Sequence, residues 1–205
     1  MNYPYDNNGE IKIMSKFITR NRRSIRLKGY DYSSDGAYFL TICVRNCECL
    51  LGEIQDGQMI LNQYGELVRA VWEDLPNQVL DIDLDEYVIM PNHFHAILVI
   101  EKSCDSAGIY ENFDVYDEKE RRKMILPKVI GRFKMLAAKG INQIREIEGS
   151  FWQRNYYEHI IRSEENCQKI REYIRNNPMQ WEIDENHPSL IKIKKNNRKL
   201  RTQPS

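Results

Sequence analysis

No stretch of this 205-residue chain approaches the roughly 18 consecutive apolar residues of a membrane-spanning helix, so no such span is expected. The opening residues, "MNYPYDNNGEIKIMSK", hold no apolar core of a secretory signal. Neither sign of charge is in excess: 30 Lys and Arg balance 30 Asp and Glu, so the whole-protein field does not advertise a partner of opposite charge. Cysteines number five, an odd count with no CxxC pair, which argues against a disulfide framework and for reduced thiols in a cytosolic setting. Cys47 and Cys49 stand closer together than the usual zinc-ligand pair. Histidines are scarcer still, four in all, and two of them sit one residue apart.

What remains is an ordinary globular composition, 41% apolar and 29% charged, long enough for one domain with a core of useful size. The charge is unevenly placed. Residues 16–28, "KFITRNRRSIRLK", and the tail "KIKKNNRKLR" from Lys192 are basic, while acidic residues gather in segments such as "DIDLDE". We read residues 1–28 as a basic arm, 29–182 as the domain and 183–205 as a basic tail. Basic arms on a neutral body can grip a polyanion.

Along the domain, "AYFLTICVRN" reads as a strand, and "CLLGEI" and "MILN" as strand segments about the turn "QDGQ". Asn62 is placed to cap a helix in which Leu67, Val71 and Leu75 recur at helical spacing. "LDEYVIM" and "HFHAILVI" form two strands about a turn at Pro91 and Asn92. Residues 101–124 are polar and weakly patterned, and are read as a mobile loop. A second helix follows, with Val129, Phe133, Leu136, Ala137 and Ile141 on one face. "FWQRNYYEHIIR" reads as a further strand, and Ser163 caps a third helix that stops at Pro178. Paired strands with intervening helices suggest an α+β domain built on an antiparallel sheet.

Residues i and i+2 of a strand share a face, so His93 and His95 project together and Phe94 turns to the core. Two neutral imidazoles can bind one metal ion, but a third ligand must come from elsewhere in the fold. On the last helix, Cys167, Ile170 and Ile174 form the apolar stripe. Tyr173 lies on its flank, with Asn177 one turn later.

"MPNHFH", "FWQRNYYEHIIR" and "YIRNNP" together closely resemble the REP-associated tyrosine transposases. These are single-tyrosine HUH transposases, where U is a bulky apolar residue. "RLKGYDYSSDGAYFLTICVRN" resembles the opening strand of that family and "IGRFKMLAAKGIN" its middle helix, so the likeness spans roughly residues 20–182 in matching order. It implies a ferredoxin-like antiparallel sheet with helices on one face, and cleavage and joining of single-stranded DNA at hairpin-forming repeats. His93 and His95 match the HUH metal ligands and Tyr173 the nucleophile. Asn177 matches a polar residue that helps complete the metal site; many relatives have glutamine there. The metal expected is Mg2+ or Mn2+. The setting implied is the bacterial cytoplasm at the nucleoid, as monomer or homodimer. Arg22, Arg23, Arg26 and Lys28, with Lys194 and Lys195, are the phosphate-contact candidates, and would give steep salt dependence. His159 lies in a matching block and would contact DNA or support the site, the alternative being a satisfied structural histidine. Trp152, Tyr156 and Tyr157 could stack on unpaired bases, with core packing the alternative job for some of them, and the two tyrosines are rival nucleophiles. Competing readings are a host-adopted DNA-binding protein with little transposition, a metal-dependent phosphoesterase using water, and a structural domain whose histidines are idle.

Overall fold

The computed structural model describes residues 27, 29–102, 117, 119 and 122–191. Arg22, Arg23, Arg26, Lys28, Lys194, Lys195 and Cys104, and most of the 101–124 loop, lie outside the described residues.

The first strand, β1 (Gly36–Cys43), leads to a hairpin of β2 (Gly52–Gln55) and β3 (Gln58–Leu61) that forms a small sheet of its own. Its two-residue turn, Asp56-Gly57, has positive φ at both positions, 50° and 73°, which is why an Asp-Gly pair stands there. Helix α1 (Gln63–Glu73) and the short α2 (Leu75–Gln78) follow, then β4 (Ile82–Met90) and β5 (His93–Ile100). Helix α3 (Ile125–Arg145), strand β6 (Tyr157–Ile161) and helix α4 (Glu164–Asn176) complete the elements, and a 3-10 turn at Pro178–Ile183 continues from α4. Both predicted N-caps are present: the Asn62 side chain accepts from the amides of Tyr64 and Gly65, and the Ser163 hydroxyl accepts from Asn166.

The main sheet runs β4-β5-β1-β6 with every neighbouring pair antiparallel. Strands β1 and β4 therefore point the same way with β5 between them, the split βαβ arrangement of a ferredoxin-like α+β fold. Alternation sorts the side chains. Tyr38, Leu40 and Ile42 of β1 and Phe94, Ala96 and Leu98 of β5 face α1 and α3 in the larger core. At its centre Trp72, Phe94 and Phe133 meet with ring centroids 4.8–5.2 Å apart. Because Trp72 is fully buried, Trp72→Ala should cost about 3–5 kcal/mol, read as a lower urea midpoint at unchanged slope.

Three sequence expectations need correction. The helices do not share one face of the sheet. Helix α4 covers the opposite face, where Cys167, Ile170 and Ile174 pack on Phe39, Ile97 and Ile161. The buried stripe of α1 is Gly65, Val68 and Trp72. Leu67 and Val71 are half-buried beside that core, and Leu67 lies against Gly140 of α3, where a Cβ would come within 2.7 Å of its Cδ1. Finally, only Tyr157–Ile161 of "FWQRNYYEHIIR" joins the sheet as a strand.

Candidate active site

The α4 face of the sheet carries the unusual chemistry. A tight turn at Pro91-Asn92 starts β5, and alternation aims His93 and His95 toward α4 while Phe94 enters the core. Both imidazoles are wholly buried, with ring centroids 4.5 Å apart. Register sets His93 beside Cys43, and His95 beside Thr41.

Hydrogen bonds fix the orientation of each ring. Asn92 Nδ2 donates to the carbonyls of Cys47 (3.1 Å) and Asn186 (2.7 Å), which leaves its Oδ1 as an acceptor 2.8 Å from His93 Nδ1. His93 therefore carries its proton on Nδ1 and presents the Nε2 lone pair. That Nε2 is buried and has no hydrogen-bond partner. His95 Nδ1 lies 2.9 Å from the Thr41 hydroxyl, so its Nε2 likewise points into the site. Such outer bonds set the tautomer of metal-binding histidines.

Tyr173 arrives from α4, its hydroxyl 3.3 Å from His95 Nε2. One turn on, Asn177 is 1% exposed, and its Nδ2 donates to Asp184 Oδ2 at 3.4 Å. Its amide biases the proton affinities of both His93 and Tyr173, yet Asn177 Oδ1 makes no hydrogen bond of good geometry. Asp184 follows the 3-10 turn. Its carboxylate and the two imidazoles form a buried group whose ligand atoms all lie within 4.8 Å of one another. Around one ion with bonds of roughly 2.1 Å, ligand atoms sit about 3–4 Å apart, so small side-chain shifts would close the group. Two lone pairs, one carboxylate and an orphaned amide oxygen, all buried, are a donor set suited to a divalent cation.

Burial pushes His93 and His95 down to a pKa of about 3; the Asn177 amide opposes this at His93, while at His95 the His93 ring adds to it and the Asp184 carboxylate opposes it. It pushes the Tyr173 phenol well above its ordinary value, and the nearby Asp184 carboxylate adds to this. Without a cation the site thus holds two neutral imidazoles and a neutral phenol. A histidine with a depressed folded pKa is protonated first in the unfolded chain, so metal-free stability should fall as pH drops from about 6.5 toward 3. At about 1.4 kcal/mol per pH unit per histidine, the loss by pH 5 is roughly 2 kcal/mol each. Urea midpoints at pH 7.5 and pH 5 test this, and an unchanged midpoint would refute it.

The structure thus gathers His93, His95, Tyr173 and Asn177. It adds Asp184, Thr41 and Asn92, which the sequence reading had not assigned to the site. No spacing signal ties Asp184 to "HFH"; only the turn after Pro178 brings it back. Residues 183–191, the start of the segment read as a tail, run along this region, and Trp181 lies over His93 with centroids 6.2 Å apart. His159 is half-buried on the same sheet face, paired with Phe39 at the β6 edge. Tyr156 and Trp152 belong to the core on the opposite face, so Trp152 is not a base-stacking platform and Tyr156 is not a rival nucleophile. Tyr157 does lie on the site face, edge-on to Phe39.

A protein of Haemophilus influenzae that carries no functional name is 42% identical over 167 residues, covering 80% of this chain and 92% of its own length. The chain belongs to the family of that protein. A second Haemophilus influenzae protein, provisionally named a REP-associated tyrosine transposase, is 23% identical over 150 residues, 73% of each chain. No protein-family model matches the sequence. Among solved structures, a REP-associated tyrosine transposase bound to a REP hairpin aligns with TM-score 0.43 and 17% identity, over 79% of this chain and 74% of that one. A Deinococcus radiodurans protein, provisionally described as a transposase, aligns with TM-score 0.42 and 16% identity, over 74% of this chain and 97% of that one.

Proposed function

We propose that this protein is a divalent-metal-dependent enzyme of the REP-associated tyrosine transposase kind, which cuts and rejoins single-stranded DNA at hairpin-forming repeats through a 5′-phosphotyrosine. One observation carries the reading: the Tyr173 hydroxyl stands 3.3 Å from His95 Nε2, beside the unpartnered Nε2 of His93. The motif blocks in matching order support it, and the distant Haemophilus relative is provisionally named for the same activity.

His93, His95 and Asp184 would hold the cation, Mg2+ or Mn2+, with Asn177 Oδ1 available beside them. When bound, the cation supplies Lewis acidity toward a non-bridging phosphate oxygen and lowers the proton affinity of the phenol. Tyr173 Oη attacks phosphorus in line and loses its proton. The bond from phosphorus to the 3′ oxygen breaks, and that oxygen leaves as a free 3′-hydroxyl after taking up a proton. The 5′ phosphate stays on Tyr173. Because the 3′-hydroxyl can attack back, joining needs no ATP. The partners of the reaction lie within one chain, so a monomer would suffice.

The test is incubation of the protein with labelled single strands from the flanks of its own gene, with Mn2+ and Mg2+ in turn, on a denaturing gel. A covalent protein–DNA band is expected. Cleavage without a band would favour a phosphoesterase using water, and binding without cleavage would favour a host-adopted DNA-binding protein.

A further inference from the structure

The register of β4 shifts between Leu84 and Tyr87, a bulge that contains Asp85 and Glu86. In a regular strand, consecutive side chains point to opposite faces, so only one of these two could reach a helix packed on the sheet. Here both do. Asp85 accepts from Arg171 of α4 through Nε (3.0 Å to each carboxylate oxygen) and through an Nη at 2.6 Å. Glu86 accepts from Arg175, one turn further along the same helix, at 2.8 and 2.5 Å. A bulge re-aims side chains at a defined place, and this one aims a pair of carboxylates at the helix that bears Tyr173.

The two flanks of α4 have different tasks. Its apolar stripe is narrow, with Cys167, Ile170 and Ile174 buried against the sheet. Arg171 and Arg175 lie on one side of the stripe, over β4. Tyr173 and Asn177 lie on the other, over His95 and Asp184. A narrow stripe resists sliding but offers little resistance to roll about the helix axis. Fastening one flank to β4 sets that roll, and with it the place of the phenol. At a radius of roughly 6 Å from the axis, a roll of about 10° carries the hydroxyl about 1 Å. A displacement of that size can cost on the order of 100-fold in rate.

The two ion pairs are unequal. The Arg171 and Asp85 side chains are only 23% and 20% exposed and meet in a forked contact, whereas Arg175 is 58% exposed. Geometry of the first kind holds; a pair of the second kind contributes little. The Arg171 guanidinium also holds the Asp85 carboxyl below the usual carboxylate range, so the pair stays charged at neutral pH.

We infer that Arg171 and Asp85 are positioning residues for Tyr173, the bulge in β4 serving to hold the roll of α4 so that the phenol meets the histidine pair. This rests on the tyrosine reading above. The experiment compares Arg171→Ala, Asp85→Ala, the double variant and Arg171→Lys with wild type. The first readout is the single-turnover rate of covalent adduct formation at saturating Mn2+; the second is Mn2+ affinity. The third is the 19F spectrum of protein carrying 3-fluorotyrosine, with the position-173 resonance assigned by its loss in Tyr173→Phe.

Each alanine variant should lower the adduct rate about 30- to 100-fold. Mn2+ affinity should fall by no more than about 10-fold, because the two imidazoles are on β5 and only Asp184 and Asn177 follow α4, and the 173 resonance should move. The double variant should be no slower than the slower single, and Arg171→Lys should recover part of the rate. Arg175→Ala should stay within about 2-fold of wild type. An unmoved resonance together with a rate within about 2-fold overturns the inference, as does additive loss in the double variant. If the alanine variants do not fold, Asp85→Asn and Arg171→Lys carry the same comparison. If wild type forms no adduct, the transposase reading fails, while the fluorine spectra still decide whether Arg171 and Asp85 place the phenol.

Discussion

Tyr173→Phe should form no covalent adduct with DNA, with a loss of at least about 10⁴-fold in cleavage, the scale seen when a nucleophile is deleted. The substitution removes one oxygen and leaves a ring of the same shape, so the edge-on contacts of Tyr173 with Phe39 (6.1 Å) and His95 (5.4 Å) remain. Losing the contact of the hydroxyl with the buried His95 Nε2 should cost stability no more than about 1–3 kcal/mol, so a loss of activity in folded protein reports chemistry. The matching control is Tyr157→Phe. Tyr157 shares the sheet face but lies on β6, paired with Thr41, which stands between it and His95. That variant should keep adduct formation within a few-fold. A persistent adduct in Tyr173→Phe, mapped by mass spectrometry to another residue, would dismiss Tyr173 as nucleophile.

The second large effect concerns the cation. His95→Ala and Asp184→Ala should each weaken Mn2+ binding by at least about 100-fold, by titration calorimetry, and abolish adduct formation with it. Loss of a supporting outer partner already costs about 10- to 100-fold in metal affinity, and these side chains offer donor atoms directly. Asp184→Ala is the sharper case, since nothing in the linear motif includes it. Wild-type Mn2+ affinity in Asp184→Ala would mean that the carboxylate only braces Asn177 and the Asn186 amide, to which it also bonds.

Much of the scaffold is written locally. Strand alternation fixes that His93 and His95 share a face and that Phe94 opposes them, whatever the rest of the chain does. The caps at Asn62 and Ser163 are likewise local, since each needs only its own hydrogen bonds within three residues. The position of α4 on the second face was also legible in retrospect. The stretch HFHAILVI, residues 93–100, is apolar at six of eight positions, a run that a strand shows when both its faces are covered. The orientation of α1 was harder, because Leu67 and Val71 are apolar and helically spaced yet only flank the core. Trp72 takes the centre because its large ring meets Phe94 and Phe133, a preference that periodicity alone does not encode.

The sequence by itself determined the strands and helices, the shared face of the two imidazoles, and the place of Tyr173 and Asn177 one turn apart on one helix. Only the tertiary structure decided that the phenol of α4 reaches His95, that Asp184 completes the group, and that a bulge joins β4 to Arg171. The reason is physical: periodicity records which side of an element a residue occupies. Which elements meet, and at what roll and distance, is set by packing between segments far apart in the chain. Asp184 lies 91 residues from His93 (184 − 93) and comes beside it only through the helix, turn and sheet between them.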